Sequence, residues 1–142
     1  MQSIVASTWK QDNWFIAQCE AYDIATQAGS ESELIENVRE AIALHLEQSE
    51  SGFTVVLQHA APPDAPVINT APRAALSFLQ VRWRLESEGF RGITQRPNHA
   101  KFIKQSENDV VIEAILPHYA ELAAPVLYSI LRQAKLPLYT FE

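Results

Sequence analysis

Arg96, His99 and Lys101 lie close together in the second half of the chain. A neutral imidazole accepts a proton near neutral pH, while guanidinium and ammonium groups hold phosphate oxygens. On a strand, alternate residues share a face, which groups His99 with Lys101 and turns Phe102 and Lys104 to the opposite side. Arg96, in the preceding turn, joins the first pair. This set suits a general base beside two cations that steady a phosphate in its transition state, without a metal. It is equally the composition of a solvated basic turn. Lys104 and His118 are further phosphate-contact candidates, His118 because it follows Pro117 at the end of the next apolar run. His45 and His59 read as structural.

The remaining motifs narrow the chemistry. No two histidines stand at the spacing of a helical zinc site, and no close acidic pair accompanies them in the second half, so no metal is expected. The four glycines are scattered, which leaves no phosphate loop and no expected cofactor. Cys19 is the single cysteine and reads as a small core residue; it excludes an intramolecular disulfide.

The elements that must position these residues fall into two groups. Ser3–Trp9 and Trp14–Cys19 are β-prone runs around a polar turn, a third strand fits Tyr22–Gln27, and Ser30 with Glu33 forms a capping-box motif. Leu34, Val38, Ala41, Ile42 and His45 then recur at helical spacing, Gly52 is the expected stop, and Phe53–Leu57 is a last strand. The second group opens with a helix over 74–88, with Leu76, Leu79 and Trp83 as its main apolar face, Val81 and Leu85 as further candidates for it, and Gly89 as its stop. Three strands follow, over Phe90–Gln95, His99–Lys104 and Val110–Leu116. Pro125 is placed at the first position of a final helix that buries Val126, Leu127, Ile130, Leu131 and Ala134. The pattern predicts an α+β protein, β-β-β-α-β followed by α-β-β-β-α.

Residues 61–72 carry four of the eight prolines and read as a linker between a unit at 1–60 and a unit at 73–142. Charge divides at the same place. Residues 1–70 hold two basic residues against ten acids, a net of −8, whereas 71–142 hold nine against seven, a net of +2. Opposite potentials favour docking of the two units, with Glu36, Glu40 or Glu47 expected to face Arg96, Lys101 or Lys104.

Both halves resemble known families. Trp14-Phe15-Ile16-Ala17, Ala25–Ser30 and Glu33–Ile42 resemble the HicB antitoxin domain over about residues 2–58, with Leu34-Ile35 where that family tends to have Glu-Ala. Glu88-Gly89-Phe90, Gln95–Phe102, Leu116-Pro117-His118 and Leu127–Ala134 are similar to the HicA toxin family. The first resemblance implies a partial ribonuclease-H-like fold lacking metal-binding carboxylates. The second implies a domain like those that bind double-stranded RNA, acting as a metal-independent endoribonuclease, an mRNA interferase, with His99 as general base. The family's Gly-Ser before the histidine is Pro97-Asn98 here, and proline removes a donor that glycine offers. The alternative is therefore an inactive RNA-binding or scaffold protein that keeps the toxin–antitoxin architecture.

RNA is the expected partner, contacted by Arg96, Lys101, Lys104 and His118. Self-association is expected through Ile4-Val5-Ala6 and Phe53–Leu57, because units this small leave sheet edges open. No long apolar run and no DNA-binding segment stand in the sequence, so a cytoplasmic protein engaging neither membrane nor DNA is expected.

Overall fold

The first two β-prone runs pair around Asp12-Asn13, where Asp12 takes the left-handed backbone, φ 54°, that tight hairpin turns use. They form β1 (Gln2–Gln11) and β2 (Trp14–Cys19), and β3 (Ile24–Ala28) adds antiparallel to β2. Helix α1 (Glu31–Leu46) returns the chain to β4 (Phe53–His59), which lies parallel to β1 in the order β3-β2-β1-β4. A second, antiparallel sheet joins β5 (Arg91–Gln95), β6 (His99–Gln105) and β7 (Val111–Pro117), flanked by α2 (Phe78–Ser87) and α3 (Ala124–Ala134). The structure is a computed structural model and describes residues 2–62 and 76–137. It is a mixed α+β arrangement of two sheets and three helices among those residues. None of the helices is long and apolar enough to cross a membrane. Most of the expected proline linker, 63–72, lies outside the described residues.

Several local expectations are corrected. Only half of the capping box at α1 forms: Ser30 Oγ accepts from the Glu33 N–H at 3.2 Å, but Glu33 turns one oxygen to the Gly29 N–H and the other to the Tyr119 hydroxyl. Gly52 does not stop this helix. It ends at Leu46, with Glu47 left-handed at φ 56°, where the Lys101 ammonium donates to the Leu44 and His45 carbonyls; Gly52 closes a separate 3-10 turn, Glu50–Gly52.

Helix α2 starts later than expected, at a complete capping box between Ser77 and Gln80. That start fixes its phase. Phe78, Val81 and Leu85 enter the core and Leu76 packs against it, while Leu79 and Trp83 are 62% and 66% exposed, so of the expected apolar residues these two face outward. In α3 Pro125 occupies the second position, not the first, and the expected stripe is buried throughout. Strand β1, expected as an open edge, is central in its sheet, whose edges are β3 and β4.

The two units share one interior. The α1-facing side of the second sheet places Ile115 against Ile24, Ala41 and Leu44, while α3 packs on the other face of β3 around Ala25. Strand β3 is thereby buried along its length although it is a sheet edge. Its edge groups are satisfied by side chains from α3: Ser129 Oγ accepts from the Ala25 N–H at 3.0 Å and donates to the Asp23 carbonyl at 2.8 Å. Gln133 donates to the same Oγ and accepts from the Ile115 N–H of β7, both at 2.9 Å, so one polar pair seals both strand edges.

Candidate nucleic-acid interface

Strands β5 and β6 are joined through a turn closed by the Arg96 N–H to the His99 carbonyl at 2.8 Å. Pro97 stands at the first corner of this turn, where a fixed φ suits the chain and no N–H is needed. The amide that points out of the turn belongs to Asn98. It donates to Glu40 Oε1 at 2.7 Å, and the Asn98 carbonyl is held by the His118 N–H at 2.9 Å.

His99 opens β6 and is completely buried against the first unit. Its Nδ1 lies 2.9 Å from Glu40 Oε1 and its Nε2 lies 2.9 Å from Thr26 Oγ1. Burial pushes the Glu40 carboxyl up, but hydrogen bonds from His99 and Asn98 and the charge of Arg96 outweigh it and hold the group below the usual carboxylate range. An ionised carboxylate only accepts, so the proton between the two groups sits on Nδ1, and Nε2 is left for the Thr26 hydroxyl. Both ring nitrogens are engaged, and neither is open to a substrate in this arrangement.

Lys101 follows on the same face, 2% exposed. Its ammonium meets Glu113 at 2.7 Å and Glu47 at 2.9 Å, and reaches the last carbonyls of α1. Burial alone would lower its pKa, yet the two carboxylates raise it, so the lysine is charged. His45, left as structural by the sequence, closes this cluster 3.9 Å from Glu113, and burial holds it below its ordinary value.

The other sequence candidates separate. Arg96 is exposed and lines a groove of about 410 Å³ with Thr94, Leu44, Glu47, Gln48 and Ser49. Lys104 does not join the set: it lies on the helix-facing side of β6, its ammonium 5.9 Å from the centre of the Phe90 ring. His118 stacks on Phe78 at 3.9 Å and contacts Gln95 at 2.9 Å, with burial and nearby His99 depressing its pKa. Of the acids expected to meet this face, Glu47 reaches Lys101 and Glu40 reaches His99 and Asn98, whereas Glu36 is exposed. Among the described residues no group of three or more His, Cys, Asp or Glu side chains converges as metal ligands would.

Further polar contacts tie the units together at residues the sequence did not single out. Gln27 donates to the Glu121 carbonyl and accepts from the Ala123 N–H. Asn37 donates to the Gln27 carbonyl and to the Tyr119 hydroxyl at 2.7 Å, and that hydroxyl donates to Glu33 at 2.7 Å. Burial, together with Glu33, raises the Tyr119 pKa far above its usual value. Arg132 pairs with Asp23 at 2.9 Å. A polar side chain inside an apolar helical stripe, such as Asn37 or Ser129, was the available signal, but nothing in one sequence says which distant strand it meets. Compared with protein-family models, curated proteins and solved structures, the chain gives no match.

Proposed function

We propose that the chain is a single-chain relative of a HicA/HicB toxin–antitoxin pair, in which the second unit binds RNA through the Arg96–Lys101 segment and the first unit covers that segment in cis. The observation that carries this reading is the complete burial of His99 between Glu40 and Thr26, both from the acidic half. The order β3-β2-β1-β4 with β1 and β4 parallel supports a ribonuclease-H-like first unit, and α-β-β-β-α supports a second unit like those that bind double-stranded RNA. When the units part, His99 is the base for a 2′-hydroxyl and Arg96 and Lys101 hold phosphate, with no metal required. Fusion keeps the covering unit at high effective concentration, so the closed state dominates. Pairing between copies rather than within one chain fits the same contacts and makes the protein a homo-oligomer.

The second reading, an inactive RNA-binding or scaffold protein, is favoured by how fully the buried polar groups of His99 and Lys101 are satisfied. One experiment separates the two: cleavage of a long RNA by full-length protein, by the charge-reversed pair Glu40→Arg with Glu47→Arg, and by that variant carrying His99→Ala. The nuclease reading expects cleavage only in the reversed pair with His99 intact. Binding without cleavage in the reversed pair supports the scaffold, and neither binding nor cleavage refutes both.

A further inference from the structure

Glu40 Oε1 is held by two converging donors from the other unit, the Asn98 N–H at 2.7 Å and His99 Nδ1 at 2.9 Å. A cation adds to them: the charge of Arg96 acts on the same carboxyl. A backbone amide and an imidazole N–H converging on one oxygen, with a guanidinium charge acting on the same group, are the donor set of an anion site, built from one turn of the second unit alone. Only the anion comes from elsewhere.

We infer that the Arg96–His99 turn is a phosphate-binding site and that the Glu40 carboxylate occupies it as an internal surrogate for the phosphate of a nucleic-acid backbone. This rests on the RNA-binding reading above and names its first contact. The turn is rigid enough for the role. Its amide is aimed by the Arg96 N–H to His99 carbonyl bond and by the His118 N–H on the Asn98 carbonyl, neither of which involves Glu40. Truncating Glu40 to alanine would vacate the space of a CH₂–COO⁻ group, and Arg96 lines a groove of about 410 Å³ together with Leu44, one helical turn after Glu40. The site also accounts for Pro97. Because the Asn98 amide supplies the backbone donor, proline at the preceding corner removes nothing from it.

The test uses full-length Glu40→Ala protein titrated with inorganic phosphate, read from the backbone amide resonance of Asn98. The expected result is a saturable shift at a phosphate concentration at least tenfold lower than wild type needs, weakened several-fold when Arg96→Ala is added. An Asn98 amide as insensitive as that of wild type overturns the inference. Glu40→Gln, which keeps the acceptor oxygen and drops the charge, gives a second reading, with an expected gain of at least threefold; no gain again counts against the site. Should neither variant fold alone, restoration of the fold by millimolar phosphate supports the site and failure to restore it refutes it. A parallel titration of Glu40→Ala with single-stranded RNA separates the two claims. Phosphate bound without RNA leaves the site standing and removes the RNA reading; RNA bound with the Asn98 amide unmoved does the reverse.

Discussion

Replacing Lys101 with methionine keeps the apolar stem and removes only the ammonium. That group is 2% exposed and serves Glu113 at 2.7 Å, Glu47 at 2.9 Å and two terminal carbonyls of α1 at 3.3 and 3.5 Å. Breaking a buried ion pair costs roughly 3–5 kcal/mol when the abandoned partner stays buried. Here Glu113 is 29% and Glu47 70% exposed, so both carboxylates rehydrate in part. The helix carbonyls lose a cation that is worth up to about 2 kcal/mol in a partly buried setting. The expected net loss is therefore about 2–3 kcal/mol, which for a chain of 142 residues lowers the melting temperature by roughly 6–10 °C. Urea unfolding of wild type, Lys101→Met, Glu113→Gln and the double variant gives the pairwise coupling, expected at about 1–2 kcal/mol. A total loss below about 0.5 kcal/mol would refute the burial of this ammonium at the end of α1, and no coupling would refute its pairing with Glu113.

Acid should weaken the fold in two stages, because both relevant groups bind protons more readily when unfolded. His45 is held below its usual 6.5, so its contribution is complete above pH 6.5 and fades as pH falls toward its lowered folded value. Glu40 is held below its usual 4.5, so its share is lost at lower pH still, as pH falls through its folded value. Urea midpoints between about pH 2 and 8 measure this, and His45→Gln should remove the upper stage. Ser129→Ala strands the Ala25 N–H and the Asp23 carbonyl at the buried edge of β3; a loss of about 1–3 kcal/mol and faster hydrogen exchange at Ala25 are expected. Leu85→Ala should cost about 2–5 kcal/mol by leaving a cavity, whereas Leu79→Ser and Trp83→Ser, being exposed, should scarcely move the urea midpoint. Equal losses at all three positions would reverse the assignment of the buried face of α2.

Element types were legible because periodicity is local: alternation in the β1–β2 hairpin and the stripes of α1 and α3 need only neighbouring residues. The face of α2 was not. Leu79 and Trp83 fit a helical stripe as well as Phe78, Val81 and Leu85 do, and only the start at Ser77 and the core it meets distinguish them. At the candidate site, strand parity put His99 and Lys101 on one face, and the charge asymmetry suggested acids opposite them. What parity cannot give is distance in space. Thr26, Glu40 and Asn98 are far apart in sequence or silent as side chains, and Asn98 contributes a backbone amide that every non-proline residue has. Lys104 was grouped with Lys101 as a phosphate contact, although the same parity rule turns it to the helix side, beside Phe90.

If the first unit covers an RNA-binding face of the second, weakening the contact between them must expose it. Equilibrium binding of a single-stranded RNA to wild type and to the folded Glu40→Arg, Glu47→Arg pair, at low and at physiological salt, tests it most directly. Weak binding by wild type and at least tenfold tighter binding by the reversed pair are expected, with an affinity that falls steeply as salt releases phosphate contacts. Equal affinity of the two proteins, or binding in the reversed pair that ignores salt and survives loss of Arg96, would contradict that covering.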